Sequence, residues 1–437
     1  MPPDPTAARR GHPVPDAPHV AILLPDLNAG GVQHACLRIG DALARQGVRI
    51  TLLVCARGGR LEGAVPAGVA LCHLEPRPFG RFEALRAAPG LARLMLRPLF
   101  LSPQRSATAP CLPSLVAFLR EARPTTLLAL SPSINVEALL ARRRLDAPLR
   151  LVISERTHFS TGKAKKRWRA RHLAPLMRAL YPEADAVVAV SEGVADDIAR
   201  HAGLDRASIE VLHNPTLMPD LPERAAEPLD HPWFAAGEPP VVLAIGRPAP
   251  QKDFDTLVRA FTRLRAERPA RLVILGESAT SAGPNGRAGR LLALAGERGV
   301  ADDLAMLGYV PNPLPYIKRA AVLALSSRFE GFPNVLMEAL ACGTSIVSTD
   351  CPSGPAEILD GGRYGRLVPV GDDAAMAGAL ALTLERPFDP ALLRARAGRY
   401  GYAASVRGYR RVLLGTGDGV AALPSPLPSP LSCRGAA

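Results

Sequence analysis

Two glutamates stand eight residues apart in the segment SSRFEGFPNVLMEALACGTSIVSTDCPSGPAEIL, residues 326–359. Glu330 precedes a predicted helix, and Glu338 falls inside that helix among apolar residues. A buried carboxylate needs hydrogen-bonding partners, because burying it bare costs several kcal/mol. A vicinal diol, such as a ribose 2′,3′ pair, would supply two donors to Glu338, and a second hydroxylated ring would supply donors to Glu330. The alternative, two glutamates on a solvated helix face, is disfavoured by the apolar neighbours.

A pair of cations follows another predicted strand, in the segment LAIGRPAPQKDFDTLVRAF. Gly246 ends this strand, and Arg247 and Lys252 lie on the loop before the next helix. An arginine fork and a lysine ammonium beside a helix N-terminus together favour a diphosphate group. The alternative is a solvated loop with surface charges. Asp253 is predicted to cap the next helix, and the DFD triplet that it begins is interpreted as helix-capping rather than metal-binding.

Glycines follow two further predicted strands. Gly30 and Gly31 lie between the first strand and a helix, where a ligand can approach the backbone closely and the helix N-terminus favours an anion. This pair lacks the GxGxxG spacing of a dinucleotide fingerprint, and an ordinary strand-to-helix turn is the alternative. Gly276 and Glu277 repeat the arrangement after a later strand. Each of these sites therefore comes directly after a strand.

Apolar strands alternate with amphipathic helical segments along the chain, in two series of similar length. Continuous apolar strands between helices are typical of parallel sheets covered on both faces. We therefore predict an α/β protein with two Rossmann-like domains, whose parallel sheets face each other across a deep cleft. Because ligands bind at the carboxyl ends of such strands, the residues above should meet in that cleft.

The predicted division of the chain follows changes in composition. Residues 215–240 are rich in proline and acidic residues and separate the two series, while both ends of the chain are rich in proline. The predicted parts are a mobile segment at 1–18, a first Rossmann-like domain at 19–214, a linker at 215–240, a second Rossmann-like domain at 241–390, a helical segment at 391–415 that can cross back to the first domain, and a disordered tail at 416–437.

The composition limits the class of protein. Hydrophobic residues make up 48% of the 437 residues and charged residues 21%, which supports a packed core and argues against global disorder. Seven scattered cysteines without CxxC pairs argue against a disulfide framework or a zinc ribbon and fit a reducing cytosol. The N-terminus lacks the apolar region of a secretory signal, and no apolar run is long enough to span a membrane. We expect a cytoplasmic protein.

The net charge of +13 favours an anionic partner. Two basic amphipathic segments, residues 77–105 and 162–181, suit an anionic membrane surface, and Trp168 lies within the second. Helices that pack an apolar face inward are the alternative. No nucleic-acid recognition module is visible, so nucleic acid is not an expected partner. Peripheral contact with the cytosolic face of the inner membrane is an expectation that follows.

The motifs resemble those of the retaining GT-B glycosyltransferases, particularly family 4. EGFPNVLMEALACGTSIVSTD is similar to that family's Glu-x7-Glu donor site, and GRPAPQKDFDTLVRAF is similar to its Gly-Arg…Lys-Asp/Asn segment. LNAGGVQHACLRIGDALARQG resembles its glycine-rich N-terminal turn, and VVAVSEGVADDIAR and VLHNP resemble the end of its N-terminal domain. The resemblance covers residues 19–412, and the C-terminal motifs are its most specific part.

The resemblance implies that the second domain holds a nucleotide-sugar donor. Arg247 and Lys252 would bind the diphosphate and neutralise the leaving group, Glu338 would bind the ribose, and Glu330 would bind hydroxyls of the transferred sugar. Backbone amides of residues 331–334 would complete these contacts. The implied donor-binding set is Gly30, Gly31, Gly246, Arg247, Lys252, Glu277, Glu330, Gly331, Phe332, Pro333, Asn334 and Glu338.

The resemblance also places the acceptor against the first domain. The segment VISERTHFS corresponds to a stretch in which many relatives carry a histidine near the donor sugar, and Thr157 stands where some carry asparagine. The predicted acceptor-side residues are Glu155, Arg156 and His158. A structural hydrogen bond is the alternative role for this histidine. The predicted catalytic set is Glu330, Arg247, Lys252 and His158.

The implied activity is retaining transfer of a sugar from a nucleoside-diphosphate sugar to a hydroxyl of a glycan or lipid-linked acceptor. A UDP-hexose or UDP-N-acetylhexosamine is the expected donor, and bacterial cell-surface polysaccharide or glycolipid synthesis is the expected setting. No metal or other cofactor is expected, because cationic side chains and helix N-termini can stabilise the departing diphosphate. A sugar-nucleotide epimerase and a non-catalytic sugar-nucleotide-binding partner of another enzyme are the alternatives.

Overall fold

The computed structural model describes residues 17–28, 30–77, 108–160, 171–276 and 286–415. The strands among these residues are β1 (His19–Leu24), β2 (Arg49–Val54), β3 (Val69–His73), β4 (Thr126–Leu130), β5 (Arg150–Glu155), β6 (Ala186–Ala189), β7 (Ile209–Val211), β8 (Val241–Ile245), β9 (Arg271–Leu275), β10 (Leu304–Gly308), β11 (Val322–Leu325), β12 (Ile346–Thr349) and β13 (Arg366–Val368).

Helices connect most of these strands. Over the same ranges they are α1 (Gly31–Ala44), α2 (Leu112–Ala122), α3 (Pro132–Arg142), α4 (Ala174–Leu180), α5 (Glu192–Ala202), α6 (Leu221–Ala226), α7 (Phe254–Glu267), α8 (Arg287–Glu297), α9 (Leu314–Arg319), α10 (Asn334–Cys342), α11 (Pro355–Ile358), α12 (Asp373–Glu385), α13 (Pro390–Gly398) and α14 (Tyr402–Leu414).

The strands form two parallel sheets. The first has seven strands in the order β3-β2-β1-β4-β5-β6-β7, and the second has six in the order β10-β9-β8-β11-β12-β13. In each sheet the strand order reverses beside the first strand of its series, between β1 and β4 and between β8 and β11. Such a switch point opens a crevice at the carboxyl ends of the strands. The predicted α/β class with two Rossmann-like sheets is confirmed.

Both faces of each sheet are covered. In β1, Ala21 and Leu23 belong to the apolar cluster on one face, while Val20, Ile22 and Leu24 belong to the cluster on the other. The alternation follows the two-residue period of a strand, and burial on both faces explains why the run is apolar throughout. Two corresponding clusters cover the second sheet.

The stretch 215–240, predicted as a linker, is ordered and packs on the second sheet. Leu221 and Ala225 of α6 are buried in a cluster that also contains residues of the second sheet. The ring of Trp233 lies 4.9 Å from the guanidinium carbon of Arg271, the first residue of β9. The first crossing between the domains is therefore the short stretch that follows β7.

The last described helix, α14, returns to the first sheet. Tyr409 and Leu413 are buried in a cluster with residues of β1 and β2. The hydroxyl of Thr126 donates to the Leu413 carbonyl at 2.7 Å, and Arg150 Nε donates to the Val412 carbonyl at 2.9 Å. The chain therefore crosses between the domains a second time, between α13 and α14.

Some predictions concern residues outside the described ranges. They include the mobile N-terminal segment up to residue 16, the proline-rich tail from 416, and residues 78–105 and 162–170 of the two basic segments. Membrane contact by these segments stays a prediction. Among the helices that the structure describes, none combines the length and the apolar character that a bilayer span requires.

Candidate active site

The side chains of Lys252 and Glu330 form an ion pair between two loops of the second domain. Lys252 follows β8, Glu330 follows β11, and their Nζ and Oε1 atoms are 2.7 Å apart. The hydroxyl of Ser327 donates to the same carboxylate oxygen at 2.7 Å, and the Gln251 amide donates to the Phe329 carbonyl at 3.0 Å. Glu330 is only 7% exposed, so these partners hold its carboxylate in one place.

The path of Lys252 depends on two glycines. Gly246 has a φ of +153°, and a Cβ there would lie 2.9 Å from Cε of Lys252. Gly276 has a φ of +141°, and a Cβ there would lie 2.2 Å from the Gly246 carbonyl oxygen. Backbone strain and close approach both favour glycine at these strand ends. The loops after β8 and β9 therefore pack directly against each other below the lysine.

Arg247 reaches the glycine turn of the first domain. Its Nη2 atom lies 3.8 Å from the position that a Cβ of Gly30 would take. The corresponding Cβ position of Gly31, the first residue of α1, lies 3.8 Å from Nδ2 of Asn334, which begins α10. The structure thus brings the start of α1 close to the exposed guanidinium of Arg247 and to the start of α10. This is the environment that an anion favours at a helix N-terminus.

Glu338 lies on α10 and pairs with a cation from the other domain. It is 8% exposed, and its Oε1 atom is 3.5 Å from Nη2 of Arg38 on α1. The same guanidinium donates through Nη1 to the carbonyl of Thr216 at 3.1 Å. Burial raises the pKa of the Glu338 carboxyl, and the nearby Arg38 charge opposes that rise. The two glutamates are thus held by different cations, one from each domain.

The turn between the two glutamates packs on the first domain. A Cβ at Gly331 would lie 2.0 Å from the Arg156 carbonyl oxygen, and the Ser191 hydroxyl donates to the Gly331 carbonyl at 2.8 Å. The Phe332 ring lies 4.5 Å from the His213 ring, centroid to centroid. This ring is buried, which leaves the backbone of Phe332 for contact with a donor. Glycine at position 331 is thus explained by the close approach of the Arg156 backbone.

The start of α10 differs from the sequence prediction in the position of Pro333 and in the partners of Asn334. Pro333 occupies the N-cap position with extended backbone, one residue before the first helical position predicted for it. The side-chain oxygen of Asn334 accepts hydrogen bonds from Asn214 Nδ2 at 2.8 Å and from the Thr216 hydroxyl at 3.1 Å. Sequence reasoning missed these two residues, which lie on the first crossing between the domains.

Two of the three predicted acceptor-side residues are buried. Glu155 is fully buried, and its Oε1 atom accepts hydrogen bonds from Asn135 Nδ2 at 2.9 Å and from the Tyr181 hydroxyl. Its carboxylate therefore lies inside the first domain and lines no open surface. Arg156 is 6% exposed and donates to Asn214, and its guanidinium carbon lies 5.4 Å from the Tyr409 ring centroid. The full burial of Glu155 contradicts its predicted place on the cleft, whereas a cleft-side role for Arg156, which is about as buried as Glu330, stays a prediction.

His158 lies against a buried carboxylate. Its Nδ1 atom is 3.3 Å from Oδ2 of Asp197 on α5, and Oδ1 of the same residue is 3.3 Å from Nδ1 of His201. Asp197 also accepts a hydrogen bond from the Ser160 amide at 3.0 Å. These contacts fix the loop after β5 against α5. A catalytic or acceptor-side role for His158 stays a prediction.

Asp253 does not make the capping hydrogen bond that was predicted for it. Asp253 stands at the N-cap of α7 with a φ of +48°, but its side chain accepts no backbone amide of that helix. The carboxylate instead accepts from the Thr256 hydroxyl at 2.9 Å and pairs with Arg328 at 2.9 Å.

Over the ranges described above, no three His, Cys, Asp or Glu side chains are arranged to hold a metal ion. Glu277 lies outside the described residues.

Both halves of the chain match models of glycosyltransferase families. Residues 29–216 match the model described as Glycosyltransferase Family 4, and residues 239–386 match the model described as Glycosyl transferases group 1. The first range holds Gly30 and Gly31, and the second holds Arg247, Lys252 and the two glutamates. The residues gathered at the candidate site therefore all lie within the matched ranges.

Two curated relatives show the same likeness. A segment of 251 residues, 57% of the chain, is 32% identical to N-acetylgalactosamine-N,N'-diacetylbacillosaminyl-diphospho-undecaprenol 4-alpha-N-acetylgalactosaminyltransferase of Campylobacter jejuni. A segment of 206 residues, 47% of the chain, is 29% identical to lipopolysaccharide core biosynthesis glycosyltransferase LpsE of Rhizobium meliloti. The matches span 64% and 56% of those relatives, less than two thirds of either.

The fold is similar to that of solved glycosyltransferases. Anabaena HepE, crystallised in complex with UDP and glucose, superimposes with a TM-score of 0.68 and 18% identity. The match covers 91% of this chain and all of that one. At this level of identity the likeness concerns the fold alone, and it confirms the predicted GT-B arrangement of two Rossmann-like domains.

Proposed function

The chain belongs to the family 4 glycosyltransferases (glycosyl transferases group 1), and we propose that it transfers a sugar from a nucleoside-diphosphate sugar to a hydroxyl group of an acceptor. The single observation that carries the proposal is the pair of Lys252 and Glu330, 2.7 Å apart. Arg247, on the same loop as Lys252, lies close to the start of α1. An ammonium, a guanidinium and helix N-termini suit a diphosphate. A carboxylate that is held in place by a lysine can accept a hydrogen bond from a sugar hydroxyl.

The proposed donor is a UDP-hexose or a UDP-N-acetylhexosamine. Glu338 is nearly buried and could accept hydrogen bonds from the ribose diol of a nucleotide. That contact does not distinguish the base of the nucleotide. Support for uridine comes from the Anabaena structure, which holds UDP and glucose. Support for an N-acetylhexosamine comes from the Campylobacter relative, whose name is that of an N-acetylgalactosaminyltransferase.

The proposed reaction needs no covalent bond to the enzyme. The bond between the anomeric carbon and the β-phosphate oxygen breaks, the acceptor oxygen bonds to that carbon, and the acceptor proton passes to the departing diphosphate. Lys252 and Arg247 neutralise the negative charge that develops on the leaving group. Glu330 holds sugar hydroxyls on the face from which UDP departs. Attack from that same face gives retention of configuration.

The proposed acceptor is a glycan or a lipid-linked glycan in cell-surface polysaccharide or glycolipid synthesis. The names of the Campylobacter and Rhizobium relatives refer to a diphospho-undecaprenol acceptor and to lipopolysaccharide core biosynthesis. Peripheral contact with an anionic membrane would bring the enzyme to such an acceptor. The net charge of +13 supports that contact.

The test is a transfer assay with a panel of UDP-, GDP- and ADP-sugars and lipid-linked glycans as acceptors. We expect one UDP-sugar to be consumed, with release of UDP and a product of the same anomeric configuration as the donor, measured by proton NMR. Activity should persist in EDTA. Glu330→Gln should lose most of the transfer, whereas the exposed control Glu297→Gln should not. An inverted product, or a free sugar formed by epimerisation with no acceptor, would contradict the proposal.

A further inference from the structure

One face of α1 is turned toward the second domain. Gly31, His34 and Arg38 are three and four residues apart, so they lie on the same side of the helix. The first approaches Asn334, and the last reaches Glu338. This stripe crosses from the start of α10 to its second turn. This face of α1 thus meets α10, the helix that carries Glu338, at two points.

The guanidinium of Arg38 is anchored at two points. Nη1 donates to the Thr216 carbonyl at 3.1 Å, and Nη2 lies 3.5 Å from Oε1 of Glu338. Thr216 belongs to the first crossing between the domains and also donates to Asn334 at 3.1 Å. The side chains of Arg38 and Glu338 are 19% and 11% exposed. The arginine therefore has a fixed position beside the carboxylate and is largely shielded from solvent.

The environment of Glu338 favours such a cation. Burial disfavours the charged carboxylate and raises its pKa, and the groups that counter this rise are Arg38 and His34 on α1 and Arg224 on α6. The thiol of Cys342, one turn further along α10, also faces Glu338, and burial raises the pKa of that thiol to about 12, so it carries no charge. Of these three residues, only Arg38 donates a hydrogen bond to the carboxylate in the described ranges.

We propose that Arg38 is a positioning residue for the donor: it holds Glu338 ionised and oriented to accept the ribose diol, so that the first domain completes the ribose site of the second. The proposal rests on the proposed function, because it assumes that Glu338 binds the ribose. It goes beyond that function because it gives α1 a second role in nucleotide binding, in addition to that of the glycine turn at its start. Donor binding is then linked to the arrangement of the domains in which Arg38 and Glu338 meet.

The test is UDP binding by isothermal titration calorimetry to the full chain and its variants. Arg38→Ala should weaken UDP binding about tenfold, and Arg38→Lys should recover part of the loss. The control Arg45→Ala should bind UDP normally, because Arg45 lies on the same helix but is exposed and pairs with Asp41. In the Glu338→Ala background, Arg38→Ala should change the affinity less than twofold, because the arginine acts through the glutamate.

The pH dependence separates positioning from a loss of packing. Without Arg38 the pKa of Glu338 should rise further, so the ratio of the Arg38→Ala Kd to the wild-type Kd should increase as the solution is acidified through the raised pKa. The titration of UDP itself cancels in this ratio. A ratio that is constant with pH, or an equal loss in the Glu338→Ala background, would overturn the proposal. Tighter UDP binding by Arg38→Ala would also overturn it, since the arginine would then compete with the nucleotide.

The two proposals fail in different ways. If Glu338→Ala binds UDP as tightly as the wild type, the assignment of the ribose to Glu338 is wrong. If Glu338→Ala is weakened but Arg38→Ala is not, only the role of Arg38 is wrong. If Arg38→Ala lowers the melting temperature by more than a few degrees, the UDP affinity of the charge-preserving Arg38→Lys is compared with that of Arg45→Lys. A weaker affinity of Arg38→Lys then supports the role of Arg38, and equal affinities contradict it.

Discussion

At the scale of residues, the site combines opposite charges at short range. Lys252 and Glu330 neutralise each other at 2.7 Å, as do Arg38 and Glu338 at a longer 3.5 Å. A diphosphate bound beside Lys252 would share the ammonium group with Glu330. A sugar hydroxyl would then donate a hydrogen bond to Glu330. In the proposed function, the pair would exchange part of its mutual contact for contacts with the donor.

Replacing Lys252 with alanine should impair transfer. Loss of a charge-assisted hydrogen bond costs about 1.5–3 kcal/mol, and about 1.4 kcal/mol corresponds to tenfold. We expect kcat to fall at least tenfold in a transfer assay under saturating donor. Lys318→Ala, at an exposed position on α9, is the matched control and should keep full activity. Unchanged turnover in Lys252→Ala would remove this residue from the leaving-group role.

The charge of Glu338 should give UDP binding a pH dependence. Its pKa is raised by burial, so the carboxylate becomes protonated at a higher pH than an ordinary glutamate as the solution is acidified. The protonated form loses acceptor capacity for the ribose diol. The affinity for UDP, relative to that of Glu338→Gln at each pH, should therefore fall as the pH is lowered through the raised pKa. A pH-independent ratio would contradict a role for the ionised carboxylate.

At the scale of elements, the site depends on where strands end and helices begin. Gly246, Gly276 and Gly30 all follow strands, and the parallel sheets bring these ends to the junction of the two domains. The turn before α10 is also tightly packed. Its residue Gly331 lies directly under the Arg156 carbonyl, and its own carbonyl accepts from Ser191.

Gly331→Ala should loosen the contact between the domains. The added Cβ would lie 2.0 Å from the Arg156 carbonyl oxygen, so the turn or the loop after β5 must move. Overpacking of this kind costs about 1–3 kcal/mol. We expect a lower free energy of unfolding in urea and weaker UDP binding. Normal values of both would show that the turn can move freely.

Gly378→Ala is the matched control and should have the opposite effect. Gly378 lies within α12, is exposed, and has no atom within 4 Å of its added Cβ. Replacing a helical glycine with alanine stabilises a helix by about 0.5–1 kcal/mol. Urea unfolding should therefore show a gain for this variant. UDP binding should not change.

The sequence predicted the elements better than the contacts between them. Alternating apolar strands and helices predicted both sheets, and the spacing of Glu330 and Glu338 predicted a site at the start of α10. The burial of Glu155 could not be predicted, because it depends on Asn135 and Tyr181, which are distant in sequence. The contact of Arg38 with Glu338 joins residues 300 positions apart. Its one local signal is the helical spacing from Gly31.

At the scale of the whole molecule, the described ranges of the chain cross twice between the domains, and Arg156 contacts a residue beside each crossing. Arg156 donates to Asn214 on the first crossing, and its guanidinium lies over Tyr409 of α14, which follows the second. The Tyr409 hydroxyl donates to the Leu212 carbonyl at 3.1 Å. The loop that supports Gly331 is thereby tied to both connections, so the stability of α14 and the geometry of the site should be linked.

Tyr409→Ala should therefore destabilise the protein and weaken donor binding. Tyr409 is 1% exposed, and removing a buried aromatic ring costs about 3–5 kcal/mol. We expect a loss of this size in urea unfolding, together with weaker UDP binding. The control Tyr309→Ala, at a position 37% exposed, should change the free energy of unfolding by about 0.5 kcal/mol or less. Equal effects of the two substitutions would contradict the packing described for α14.

The most direct test of the donor site is a crystal structure of the protein with UDP bound. It should show the diphosphate within hydrogen-bonding distance of Lys252 Nζ and the Arg247 guanidinium, and the ribose hydroxyls donating to Glu338, itself still paired with Arg38. UDP bound elsewhere, with the Lys252–Glu330 pair in contact with no part of the nucleotide, would contradict the account.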